Sequence, residues 1–210
     1  MTNANKLPFA PSCERTKEVI LEKLLPAFSD SRRLLEVGSG TGQHAVHFAQ
    51  ALPKLNWQCT EIPENIAYLL PRIKLAQREN LPPPMELSVL KPEIFTGKNF
   101  DSFFTANTLH IMSWAAVTSM ISWLPQVVCQ GAKVAIYGPF HFDGKPTSEG
   151  NRSFDLSLRA NSSQSGIRNF EDVDKEMQQK GFRLLENHAM PANNRLIFWQ
   201  KDWGEPPIKQ

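Results

Sequence analysis

The segment that most constrains this chain is Leu34-Leu35-Glu36-Val37-Gly38-Ser39-Gly40-Thr41-Gly42-Gln43-His44. Leu34, Leu35 and Val37 bracket one acidic residue, which is the pattern of a short buried strand. Gly38, Gly40 and Gly42 alternate after it, and Ala45, Val46, Phe48, Ala49 and Leu52 then continue as a helix. Backbone without a Cβ lets a ligand lie directly on such a turn. The free N–H groups of the helix start face that ligand. A dinucleotide fingerprint, G-x-G-x-x-G, would need glycine at position 43, where Gln43 stands. A nicotinamide oxidoreductase is therefore disfavoured.

The rest of the chain alternates strand and helix patterns around this unit. An arm over residues 1–14 precedes a helix from about Thr16, with Ile20, Leu24 and Phe28 on one face, fading near Pro26. Leu55–Thr60 reads as the second strand, and Pro63 as the first turn of a helix that Pro71 should kink. Third, fourth and fifth strands are expected around Met85–Leu90, Phe100–Asn107 and Lys133–Tyr137, with a helix from Ser113 between the last two. Residues 138–168 are polar and too long for a turn, so they read as a lid-like insertion with a short helix at Phe154–Arg159. A helix at Phe170–Gln179 and two runs, Phe182–Ala189 and Arg195–Trp199, close the chain, joined by a hairpin at Met190–Asn194. Strands alternating with helices predict right-handed βαβ units and a mostly parallel sheet covered on both faces. No repeat or second domain is visible, so residues 1–210 are expected to form one domain.

Bulk properties exclude several classes. With 210 residues, 41% of them hydrophobic, the chain can bury a sizeable core. A net charge of +2 gives no field for nucleic acid or an anionic membrane. Cys13, Cys59 and Cys129 lie far apart, with neither disulfide nor zinc spacing. His44 and His47 sit at i and i+3 with no third ligand, so no metal is expected. No G-x-S-x-G elbow supports a hydrolase. No segment approaches the length of a membrane span and the start has no leader pattern, so a cytoplasmic protein is expected.

The run E-x-G-x-G-x-G resembles motif I of the class I S-adenosylmethionine-dependent methyltransferases. That resemblance implies a Rossmann-like fold with a seven-stranded, mostly parallel sheet, an antiparallel C-terminal hairpin and helices on both faces. It implies S-adenosylmethionine as cofactor, held by Glu36, Gly38, Ser39, Gly40, Gly42 and His44. Glu61 follows Gly42 by 19 residues, where an acid at the end of the second strand takes the ribose hydroxyls. Asn107 and Leu109, past the fourth strand, would contact the adenosine or methionine portion. A wider set of segments is similar to the methyltransferase-like protein 26 family, which is also a domain-of-unknown-function family. They include Ala106–Trp114 (A-N-T-L-H-I-x-x-W), Y-G-P-F at 137–140, the run from Asp143 to Arg159, G-I-R at 166–168 and M-P-A-N-N at 190–194. One departure is Leu90, which stands where the family pattern places an adenine-binding Asp.

The resemblance supplies a cofactor but no methyl acceptor. His110 would sit near the sulfonium as a general base or orienting donor. Arg15, Tyr137, Asn151 and Arg159 form, with Ser148, Asp155 and Arg168, the polar stock for acceptor binding. The segment Asn107-Thr108-Leu109-His110 is not the N-P-P-Y type that serves nucleobase or amide nitrogens, and no basic groove is evident. A small-molecule acceptor is expected first and a protein side chain second. The oligomeric state is not legible. The alternative reading is a non-catalytic methyltransferase-fold protein acting as a binding or partner module.

Overall fold

In a computed structural model of the protein, residues 7–91 and 99–202 are described. In chain order the elements are α1 (Pro11–Phe28), β1 (Arg33–Val37), α2 (Gln43–Ala51), β2 (Asn56–Glu61), α3 (Ile66–Ala76) and β3 (Met85–Glu86). There follow β4 (Phe100–Ala106), α4 (Trp114–Val127), β5 (Val128–His141), α5 (Glu149–Asn161), β6 (Arg168–Asn169), α6 (Phe170–Gln179), β7 (Phe182–Met190) and β8 (Asn194–Lys201). The sheet runs β3-β2-β1-β4-β5-β8-β7, with β6 paired to the end of β5. The β1–β6 pairings are parallel, while β8 runs antiparallel to β5 and β7 antiparallel to β8. This is the expected architecture, with the two-residue β6 added.

Period-two alternation along the strands divides the interior into two cores. Leu35, Val37, Phe103, Val134, Ile136, Ile197 and Trp199 pack with α4 and α6. Their neighbours Leu34, Phe104, Ala135, Tyr137, Leu196 and Phe198 face α1, α2 and α3. Glu36, between Leu35 and Val37, therefore points into the second layer and is only 2% exposed. On α1, Thr16, Ile20, Leu24 and Phe28 recur every fourth residue and all are buried. Among the described residues, no helix is long and apolar enough to cross a membrane.

Several expected boundaries move. The first helix begins at Pro11 rather than Thr16, because a proline at the first helical position gives up no hydrogen bond, and it continues through Pro26. The helix expected at Pro63 begins at Ile66 and runs through Pro71. The expected strand Met85–Leu90 keeps only Met85 and Glu86. A tight bridge between Ser88 and Lys91 turns the chain off the sheet edge. The fifth strand extends to His141 because β8 pairs along it as far as Pro139. The 138–168 insertion thus opens on the end of β5, and its expected short helix Phe154–Arg159 extends to the full α5, capped by Ser148, whose Oγ accepts the Asn151 N–H at 3.1 Å. Only Asn151 of α5 is buried, so the helix carries no apolar face that the sequence could have betrayed.

Candidate functional site

Beyond the C-terminal ends of β1, β2 and β4 lies a cavity of about 490 Å³. That is where open α/β sheets bind ligands. Its polar floor is the glycine turn, fixed by the Ser39 N–H donating to the Thr60 carbonyl and the Gly42 N–H to that of Ser39, both at 2.9 Å. The three glycines serve three purposes. A Cβ on Gly38 would stand 2.4 Å from Thr108 Cγ2, so Gly38 admits the loop after β4. One on Gly42 would meet Leu69 Cδ1 at 2.8 Å, so Gly42 admits α3. Gly40 has open space around it at a left-handed φ of +56°, and it lines the cavity. Only Gly40 is kept free of side chain on the ligand's side.

Two carboxylates flank the turn. Glu61 accepts the Gly40 N–H on Oε2 at 2.8 Å and the Ile62 N–H on Oε1 at 2.9 Å, and each oxygen keeps further acceptor capacity. Glu36 Oε2 accepts from Ser39 Oγ and Trp57 Nε1, each at 2.8 Å. Burial pushes the Glu36 carboxyl up to about 7, with these hydrogen bonds opposing the rise. His44 also lines the cavity, stacked on Phe48 with ring centroids 5.2 Å apart. Burial pushes its imidazole down to about 4, so it is neutral at pH 7.

The opposite wall is apolar: Ile62, Leu87, Val89, Leu90, Ile111 and Met112. Leu90 and Ile111 are 60% and 57% exposed at its mouth, large apolar side chains that a flat ligand would cover. Leu90 is on this wall because of the Ser88–Lys91 turn.

The end of the N-terminal arm and the first turn of α1 close the third side with Ala10, Ser12 and Cys13. The arm is held by Gln43, whose Oε1 accepts the Ala10 N–H at 2.6 Å and the Thr41 hydroxyl at 3.0 Å, while Nε2 donates to Glu14 at 3.2 Å. Arg72 ties the same parts together, donating to the carbonyls of Thr41 at 2.7 Å and Pro8 at 2.5 Å. Sequence reasoning read Gln43 only as a broken dinucleotide motif. A residue that both donates and accepts, set at a helix start beside an irregular arm, was the available signal.

Of the residues expected at the cofactor, Glu36, Gly38, Ser39, Gly40, His44, Glu61 and Asn107 share this cavity. Asn107 adopts a left-handed φ of +59° while its N–H donates to the Tyr137 carbonyl at 2.8 Å. Gly42 and Leu109 lie behind the wall, Leu109 within the α4-side core. The residues expected at an acceptor are not brought together. Arg15 is exposed on α1. The Tyr137 phenol is buried and accepts from Asn194 Nδ2 at 3.0 Å. Asn151 is spent on the Thr147 hydroxyl and the Asn193 carbonyl. Arg159 lines a different cavity. His110 is buried behind Ile111, edge-on to Phe154 at 5.4 Å, and burial, helped by Arg168, pushes its pKa down to about 4.

Residues 7–201 match the family described as "Protein of unknown function (DUF938)". The chain belongs to that family. Its fold is also that of solved methyltransferases. An O-methyltransferase family protein from Burkholderia thailandensis superposes with a TM-score of 0.82 at 17% identity, over 92% of this DUF938 chain and 57% of that one. Human N-acetylserotonin methyltransferase in complex with SAM gives 0.76 at 14% identity, over 91% and 53%. PigF with SAH gives 0.74 at 16% identity, over 90% and 56%. The DUF938 chain thus spans little more than half the length of these structures.

Proposed function

We propose that this DUF938 protein, of the methyltransferase-like protein 26 type, is an S-adenosylmethionine-dependent methyltransferase acting on a small molecule. The observation that carries this reading is the division of the cavity into two chemistries. At one end, turn backbone and two buried carboxylates suit a ligand with a cationic amino-acid tail and a ribose. At the other, an apolar slot suits a flat ring. The open space at Gly40 leaves room for such a ligand, since nothing of the protein fills it.

On this reading Gly38 and Gly40 present backbone to the tail, Glu36 supplies negative charge, and Glu61 takes the ribose hydroxyls. The wall formed by Ile62, Leu87, Val89 and Leu90 covers the adenine. When bound, the cofactor supplies an electrophilic methyl group on a sulfonium. The protein aligns the acceptor and excludes water. Ile111, Met112 and Ala116 make the acceptor side apolar, which favours an uncharged small molecule. Among the described residues the titratable groups that line the cavity are Cys13, Glu36, His44 and Glu61, and Glu36 and Glu61 are assigned to the cofactor. Burial pushes the Cys13 thiol up, and His44, already neutral, is a weak base. We therefore assign His110 a positioning role: its carbonyl accepts the Gly166 N–H at 2.9 Å and its ring packs on α5, tying that helix to the loop after β4.

Calorimetric titration with S-adenosylmethionine and S-adenosylhomocysteine, with NADH as control, tests the proposal. Roughly micromolar binding of the first two alone is expected. An absence of binding would leave a methyltransferase fold that works as a binding or partner module.

A further inference from the structure

A second cavity, of about 510 Å³, opens between the end of β5, the later part of α5, β6 and α6, with Trp114 at one side. The segment 109–112 separates it from the first. Ile111 and Met112 line the first cavity, while Arg168 lines the second and donates to the carbonyls of Leu109 (3.0 Å), Met112 and Gln164 (2.8 Å). Those bonds fix the Arg168 guanidinium but leave its charge without a carboxylate in ion-pair contact among the described residues.

Arg159 stands beside it. Its Nε donates to Asp155 Oδ2 at 2.8 Å, and neither Nη group has a hydrogen-bond partner among the described residues. A Cβ on Gly166 would lie 2.7 Å from Arg159 Nη2 and 3.0 Å from Asp155 Oδ1, so the pair rests directly on glycine backbone. Asp155 is held in turn by the Ile167 N–H at 2.6 Å. His141, only 9% exposed, lines the same cavity, with Nε2 3.6 Å from Asp155 Oδ2 and a fully buried Nδ1 that has no partner among the described residues. Across the cavity α6 presents Asp172, Lys175 and Glu176, which share one helix face at i, i+3 and i+4.

We propose that this second cavity binds a small zwitterion of the α-amino-acid type, with its carboxylate on the Arg159 fork and its ammonium against the α6 carboxylates. The charges select this class. The β5–α5–β6 wall carries two guanidinium groups against one carboxylate, and the α6 wall two carboxylates against one ammonium. A plain anion meets Asp172 and Glu176, and a plain cation meets Arg159 and Arg168; a zwitterion satisfies both walls. The planar Arg159 fork matches a carboxylate bidentately. The volume leaves room for a side chain.

The test is titration of the full-length protein with each of the twenty L-amino acids, with acetate, methylamine and inorganic phosphate alongside, read by calorimetry. At least one amino acid is expected to saturate with a Kd of about millimolar or tighter, and at least about tenfold tighter than acetate or methylamine. Arg159→Gln is expected to weaken it about tenfold while leaving S-adenosylmethionine binding unchanged. Asp172→Asn, on an exposed helix face where folding is not at risk, is expected to weaken it about threefold. Gly40→Asp should have no effect on it. Failure of all twenty to saturate, equal affinity for acetate or phosphate, or indifference to both Arg159→Gln and Asp172→Asn would each overturn the proposal.

Discussion

The two cavities are nearly equal in volume, at about 490 and 510 Å³, and opposite in construction. The first is built from backbone, buried carboxylates and apolar side chains. Its two carboxylates are already hydrogen-bonded within the protein, and the place left for a ligand is made by the absence of a side chain at Gly40. The second is built from long charged side chains whose heads are only partly used. A site of the first kind keeps its charges buried, where salt screens them little; one of the second holds them near solvent and weakens as salt screens them. The pair shows how a single sheet edge can offer two unlike sites, because β4 and β5 end on either side of one short segment, 109–112.

The largest expected effect separates the two outright. Gly40→Asp places a carboxylate in the open space of the first cavity, at a φ of +56° that a side chain resists. It should cost S-adenosylmethionine affinity about 100-fold or more by calorimetry, while the far-ultraviolet circular dichroism stays native. Binding that survives Gly40→Asp would break the assignment of the turn.

Next in size is the arm. Gln43→Ala removes the acceptor for the Ala10 N–H and the donor to Glu14, so the wall carrying Cys13 should loosen. We expect affinity to fall about tenfold, chiefly through faster dissociation, and the Ala10 amide to lose hydrogen-exchange protection in the free protein. An unchanged exchange rate would show that the latch is not what holds the arm.

A proton sharpens the comparison further. Glu36 titrates near 7 in the folded protein, above the usual carboxylate range, so it is about half protonated at neutral pH. A bound cation favours its ionised form, and cofactor binding at pH 7 should release up to about half a proton. Titrations in buffers of different ionisation enthalpy read this directly. The same shift makes Glu36 a stabilising influence below its unfolded pKa that is lost as pH rises through 7. His44 and His110, both depressed to about 4, act in the opposite sense: their contribution is present above the ordinary histidine range and lost as pH falls through 4. Glu36→Gln should abolish the proton release.

The smallest expected effect is a gain. Leu90 is largely exposed at the mouth, and Leu90→Asp would add an acceptor near the proposed adenine wall. A tightening of about threefold for S-adenosylmethionine is expected, with no change in the second cavity. Weaker binding would mean that apolar cover matters more there than an acceptor.

The sequence exposed the first region far better than the second, for a physical reason. The β1–glycine–α2 unit, the spacing to Glu61 and the alternation of strands and helices are local patterns, and they led to a mostly parallel sheet and, through the resemblance they carry, to seven residues that share one cavity. Helix α5 has no buried apolar stripe, so only Phe154–Arg159 of it read as helix and the rest of 138–168 as loop. The β5–β8 pairing that lengthens β5 is a long-range fact that no window of sequence contains. Arg159 and Asn151 were grouped by their polarity, yet one opens onto a cavity and the other is locked to the turn before β8. His110 likewise looked free to act, because nothing in its neighbours predicts Phe154 lying across it.

The hydrogen bond from Trp57 to Glu36 has an optical consequence. Indole emission responds to a negative charge beside the ring nitrogen, and Trp57 is fully buried with its Nε1–H on the carboxylate that titrates near 7. The protein thus carries its own fluorophore in the floor of the first cavity, one that should change intensity both with pH around neutrality and when that cavity fills. Trp57→Phe should remove both changes together, and ligands of the second cavity should leave them untouched.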